Sequence, residues 1–199
     1  YMSYADHARN LKAAIDELTA SRVENTQIIM NDMVALMKQR MIETGNIVGR
    51  GPQQYSRAEF PYWLFAKSVK NYKKNATPRE GYYAAFNPEI KKKELYKKTG
   101  YWASYPEWRE VTARPTAFIN FSFTQQMWGA VKPLMLSENK TGVTYEVWAE
   151  QSEKDAIDKL GWNIARHGNI LAFSKEEKDI TSKLNRQRIY KVLVKHKLA

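Results

Sequence analysis

The hydrophobic period changes twice along this chain, and that change restricts the fold more than its composition does. Leu11, Ile15, Leu18, Ile29, Met33 and Leu36 fall on one stripe at helical spacing, with Arg22 intruding on it. "TAFINFSF" (116–123) and "GVTYEVWAE" (142–150) instead alternate residue by residue, the pattern of strands with one buried face. Ile119, Phe121 and Phe123 share a side, as do Val143, Tyr145 and Val147. Helical spacing returns at Ala156, Leu160 and Ile164. Helix, sheet and helix in that order predict an α+β fold: a long N-terminal helix, an antiparallel β-meander and C-terminal helices.

Local signals punctuate this frame. Ser21 and Glu24 have capping-box spacing, so a break and restart near Ser21 is expected. Gly45 suits a left-handed helix end. "GNIVGRGPQQY" (45–55) is a loop; it lacks the G-K-[ST] ending and the preceding strand of a phosphate-binding loop. "WGAVKPLML" fits a short helix passing into a strand, and "SENKTG" is turn chemistry. Ser152 with Asp155 and Ser174 with Glu177 predict two further helix starts, and His167-Gly168-Asn169 a stop between them. The end, "RIYKVLVKHKLA", is apolar on too many sides for a simple surface helix and fits helix or strand. Residues 60–100 carry no sustained period. They read as an irregular aromatic and lysine-rich insertion, with short helices around 62–72 and 88–98, within one α+β domain spanning 1–199.

A chain of 199 residues can bury a proper core, and no apolar run approaches the length of a membrane span. The stretch "YMSYADHARN" has neither the basic start nor the apolar centre of a secretory signal. The absence of cysteine excludes disulfides, thiolate catalysis and cysteine-bound zinc, and it fits a cytosolic origin.

The net charge of +11 is concentrated. Residues 67–98 hold ten basic against three acidic side chains, and residues 174–199 hold eight against three. The segments 1–44 and 99–173 nearly balance. Such blocks favour polyanions or acidic protein surfaces, although solvated surface lysine is the plainer explanation of any single run. Lys67, Lys70, Lys73, Lys74, Lys91, Lys92, Lys93, Lys97 and Lys98 are the candidate contacts to an acidic partner or to DNA. Aromatics interleaved with lysines in the first block also resemble a surface for single-stranded nucleic acid, where bases stack and ammonium groups neutralise phosphate. The simpler alternative buries the aromatics in the insertion's own core and lets the lysines snorkel.

Little in the sequence asks for catalysis. His7, His167 and His196 are far apart and outside any zinc-ligand spacing, and no G-x-S-x-G elbow occurs. His167 ends a helix, where the dipole favours an imidazolium. Glu107 and Glu110 have Arg109 and Arg114 for ion pairing. The run Glu150, Glu153, Asp155 and Asp158 could attract a hard cation, but the acid preference of a helix start accounts for it more simply. No catalytic, metal or cofactor residues are assigned, and the expectation is a protein that is not an enzyme.

"SYPEWREVTARPTAFINFSFTQQMW" (104–128) resembles the centre of phage tail-completion proteins, also called virion-morphogenesis or neck proteins. In that family a "Y-x-x-[WF]-R-E" segment precedes an alternating strand and a "T-G-x-M" turn into a helix. Tyr105, Trp108, Arg109 and Glu110 match the first part, Ile119, Phe121 and Phe123 the strand, and Thr124 and Met127 the turn. "RMIETGNIVGRGPQQYS" (40–56) is similar to the family's basic helix end, glycine loop and Tyr-Ser close. "KLGWNIARHGNILAFSKEE" (159–177) is similar to its helix, Arg-x-Gly turn and capped final helix. The matching parts cover about half the chain in the right order. Gln125 stands where the family has glycine, and residues 60–100 have no counterpart in it.

The resemblance implies a virion structural protein at the head–tail junction, assembled in the host cytoplasm. It implies a ring of copies of this chain that joins the portal or connector to tail-tube proteins, with transient DNA contact in the channel and no membrane. Large aromatic contacts suit such a role, which makes Trp102, Trp108, Trp128 and Trp148 the candidate intersubunit or partner contacts. Trp148 falls on the polar side of its strand and is the best single candidate. The alternative is a nucleic-acid-binding module that uses blocks 67–98 and 174–199.

Overall fold

The structure is a computed structural model that describes residues 3–55, 57, 59–61, 79–87, 92–100, 102–111, 116–119, 126–139 and 142–199. The fold is α+β. In chain order the first elements are α1 (Tyr4–Ala20), α2 (Arg22–Thr44), β1 (Asn46–Ile47), β2 (Gly51–Pro52), β3 (Glu59–Pro61), β4 (Arg79–Asn87) and β5 (Lys92–Gly100). Then come β6 (Trp102–Ser104), α3 (Tyr105–Val111), α4 (Gln126–Ala130), β7 (Val131–Asn139), β8 (Gly142–Ala149), α5 (Lys154–His167) and α6 (Lys175–Lys195). Two compact units divide them: Tyr1–Gly51 with Asn120–Ala199, and Pro52–Ile119.

The first unit is mostly helical. α1 starts where the Ser3 side chain accepts the Asp6 N–H, and it breaks at Ser21 as the spacing predicts. The break is not a capping box, because Ser21 makes no side-chain cap bond to α2 and its hydroxyl instead donates to the Glu17 carbonyl at 2.8 Å. Gly45 ends α2 in the left-handed region at φ 62°, with its N–H on the Met41 carbonyl. α6 carries the full capping box expected at Ser174 and Glu177, and the ambiguous C-terminal stretch is helical to Lys195. α5 begins without a side-chain cap, so Ser152 does not have the role its spacing suggests. α2 and α6 run antiparallel, since Asp32 pairs with Arg188 at 3.0 Å and Arg40 with Glu177 at 2.7 Å.

The core of this unit gathers Val34, Met37 and Met41 of α2, Ile47, Met127 and Trp128 of α4, Val131 and Ala149 of the hairpin, and Leu160 and Ile170. Burying each of these larger side chains contributes about 1.5–3 kcal/mol. The residues of α1 and α2 most deeply buried are Ala14, Val34, Met37 and Met41; of the periodic stripe, Leu18, Ile29, Met33 and Leu36 are half-buried, whereas Leu11 and Ile15 are exposed. β7 and β8 pair antiparallel from Val131↔Ala149 to Asn139↔Gly142. A register shift between Met135 and Ser137 leaves Leu136 without a Cα partner.

The second unit is built of antiparallel pairs. β4 pairs with β5 from Arg79↔Gly100 to Asn87↔Lys92, and β3 with β6 from Glu59↔Ser104 to Pro61↔Trp102. This corrects the short helix expected at 88–98, where Lys92–Gly100 is strand. The run is a strand because it pairs with β4 along its length, a tertiary relation that outweighs local helix signals. The expected strand 116–123 is also revised. Thr116 to Ile119 is irregular, with the Ile119 N–H on the Gln53 carbonyl at 2.7 Å; residues 120–125 lie outside the described residues. Among the described residues each ladder has two strands, so the expected meander is realised as separate antiparallel pairs.

Candidate interaction surfaces

The two outer segments of the family resemblance meet in one polar joint of the first unit. Arg40, at the end of α2, directs Nε to Glu177 at 2.7 Å and Nη2 to the Ala172 carbonyl at 2.8 Å, and its Nη1 donates to the Asn46 carbonyl. Glu177 also accepts the Ser174 N–H at 2.7 Å and returns its own N–H to the Ser174 hydroxyl at 3.1 Å. One carboxylate thus caps α6 and fixes the end of α2. A cleft of about 290 Å³ lies between the 46–51 loop and the first residues of α6.

Arg50, from the same glycine loop, donates to the His167 carbonyl at 3.1 Å. Gly168 follows with φ at 91°, and a Cβ there would sit 3.1 Å from the Arg50 guanidinium. Burial pushes the His167 imidazole pKa down, and Arg166 and Arg50 add to the effect. The shift runs against the helix dipole, because partial burial, with two cations beside it, outweighs a terminal partial charge. Burial likewise lowers Lys38, with Lys132 as a like-charged neighbour.

The candidate tryptophans separate. Trp102 is buried in the second unit, and a Cβ on Gly81 would overlap its indole. Trp128 is buried in the first unit's core. Neither offers a free contact face, which corrects both assignments: each indole fills a position where apolar area is already withdrawn from water. Trp148 is half-buried and packs against the same core, so the strand's polar side does not carry it into solvent. Trp108 belongs to α3, and its side chain lies outside what is described.

Of the candidate lysines, Lys92 and Lys97 are exposed on β5, and Lys97 pairs with Glu80 at 2.8 Å. Lys93 and Lys98 share that strand, with side chains outside what is described. Lys67, Lys70, Lys73, Lys74 and Lys91 lie outside the described residues. In the 174–199 block, Arg188 is held by Asp32, while Lys195 and His196 both reach Glu17 at 2.7 and 2.8 Å. Those two neighbours hold the Glu17 carboxyl below its ordinary range.

Sequence reasoning missed the exposed apolar positions. Leu11 is 44 % and Ile15 53 % exposed on α1. Ile180, Leu184, Tyr190 and Val194 are exposed on α6, and Met135 and Leu136 on β7. Trp162 is 60 % exposed, with the Arg166 guanidinium 5.2 Å from its ring centre. The signal for Trp162 was present: two positions past Leu160, it must face away from the Ala156–Leu160–Ile164 stripe.

In the second unit the Y-x-x-W-R-E segment has a structural use. Arg109 is 1 % exposed, with its guanidinium 4.7 Å from the Tyr55 ring centre and 5.9 Å from that of Tyr105. The two rings are 5.1 Å apart and tilted by 60°. Glu107 accepts the Ser104 N–H at 2.6 Å at the start of α3. A cleft of about 390 Å³ opens beside Ser104, Glu107 and Glu110.

Among the described residues, no three histidine or carboxylate side chains gather to hold a metal ion. No helix among them is long and apolar enough to cross a membrane. Comparison with family models, curated proteins and solved structures finds no match to this chain.

Proposed function

We propose that this chain is a structural virion protein: a tail-completion or neck subunit that assembles into a ring and joins the portal side of the head to the tail. The observation that carries the reading is the apolar stripe of α1, left in solvent at Leu11 and Ile15, beside a second exposed set on α6. A helix with this pattern is completed by burial against another chain. The resemblance supports the same role, since Arg40, Arg50, Ser174 and Glu177 of its outer segments are the side chains that lock the first unit together. The neck assignment rests on that resemblance, and assembly rests on the exposed stripes.

Light scattering on the purified chain tests assembly. A discrete high-mass species that dissociates on Leu11→Glu with Ile15→Glu is expected; a strict monomer that the substitutions leave unchanged refutes the stripe as a contact. The nucleic-acid reading draws on the exposed Lys175, Lys178, Lys183, Arg186 and Lys191 of α6. It requires an affinity that falls by orders of magnitude between about 50 and 200 mM salt.

A further inference from the structure

We propose that copies of this chain meet head to tail, with the α5 face of one copy docked antiparallel on the α6 face of the next. The proposal rests on the ring-subunit reading and names the surfaces that make the contact. Asp155, Asp158, Lys159, Trp162 and Arg166 are all exposed, and their spacing places them on one side of α5. Acid lies at one end of that face, an indole in the middle and a guanidinium at the other end. The stacking of Arg166 on Trp162 holds the indole in one orientation.

α6 offers the complement. Asp179, Ile180, Lys183, Leu184, Tyr190, Lys191 and Val194 are exposed and fall within an arc of about 140° at 100° per residue. Asp179 opens this face and Lys191 lies toward its far end; Ile180, Leu184 and Tyr190 stand between them, with Lys183 among these and Val194 beyond. Two faces ordered in this way repel end to end when parallel and match when antiparallel. Lengths agree as well: Asp155 to Arg166 spans about 16 Å, and Asp179 to Lys191 about 18 Å, at 1.5 Å per residue. With Asp155 opposite Lys191 and Arg166 opposite Asp179, Trp162 falls opposite positions 183 and 184, against the Leu184 side chain and the apolar stem of Lys183. Both charged ends are paired, and the exposed Trp162 indole leaves water.

The occupant is a second copy because this chain itself carries the matching surface. Made once between two copies, the contact is heterologous and propagates from copy to copy, closing into a ring or extending as a filament. A two-fold pair would make it twice and stop at a dimer, so a ladder of covalent multimers separates the two arrangements.

The chain has no cysteine, so introduced thiols report the contact directly. Asp155→Cys and Lys191→Cys variants are prepared separately, mixed and oxidised. The disulfide-linked heterodimer is expected to exceed either homodimer about tenfold, and a chain with both substitutions should give a ladder of covalent multimers. Trp162→Ala should weaken self-association about thirtyfold, the effect of removing an interface anchor worth about 2 kcal/mol, while its circular-dichroism spectrum, and its melt at concentrations too dilute for assembly, stay those of the wild type. Homodimers as abundant as the heterodimer, or an oligomer that forms without this crosslink, overturn the α5–α6 pairing and leave the ring-subunit reading standing. A chain that is monomeric and does not crosslink at any concentration overturns the pairing too. Failure to find the protein at the head–tail junction would sink the ring-subunit reading instead, whatever the crosslinks show.

Discussion

Replacing Glu177 by alanine should be among the most damaging single changes in the first unit. Its side chain is 6 % exposed and that of Arg40 15 %, so solvent screens their 2.7 Å contact little. Removing one partner of a buried pair leaves an uncompensated charge and costs about 3–5 kcal/mol. Arg40 keeps the carbonyls of Ala172 and Asn46, which argues for the lower end of that range. The substitution also removes the acceptor for the Ser174 N–H, half of the capping box, adding about 1 kcal/mol. A loss of about 4 kcal/mol corresponds to a Tm lowered by about 8–16 °C for a chain of this size. Glu177→Gln retains cap geometry, because glutamine is accepted at that position, and should lose about half as much. Circular dichroism at 222 nm through heat and urea melts reads both, with the urea slope unchanged. If Glu177→Ala costs under about 1 kcal/mol and matches Glu177→Gln, the joint does not hold α2 to α6 and the reasoning fails.

Gly168→Ala should cost about 1–3 kcal/mol, since φ 91° with ψ −172° is a region that only glycine occupies readily and the new methyl group would press on Arg50; urea melts check it. Acid should destabilise the first unit in two steps. With its folded pKa lowered, His167 leaves the unfolded chain binding more protons below its ordinary 6.5, so stability is complete above that pH and falls as pH drops beneath it. Glu17, also lowered, contributes stability above 4.5 that is lost as pH falls through its folded pKa. Melts at pH 7.5, 5.5 and 3.5 should show both steps, and His167→Gln should erase the first. Arg109→Lys should destabilise the second unit by about 1–2 kcal/mol, because an ammonium cannot lay a flat guanidinium against the Tyr55 and Tyr105 rings; urea melts followed by tyrosine fluorescence would report the loss.

The parts of the fold that were legible in the sequence depend on neighbours within about four positions. Gly45, Gly168 and the Ser174–Glu177 box are such cases, each fixed by a local backbone requirement. Partners distant in sequence were not legible. β5 is a strand because β4 pairs with it, a relation that no local period records. Arg40 and Glu177 are 137 positions apart, so neither announced the other. Periodicity showed which side of α1 is apolar, and only tertiary packing decides whether this chain covers it, as the exposure of Leu11 and Ile15 shows. The tryptophans follow the same logic. Trp102 and Trp128 are inside and Trp162 is outside, and composition alone treats them alike.

The central claim is that this chain is built to join other chains at the neck of a virion. Antibody against it, applied to intact virions and imaged by negative-stain electron microscopy with gold, tests that most directly. Gold confined to the head–tail junction is the expected result. Virions without gold, or gold spread over the capsid, would contradict it.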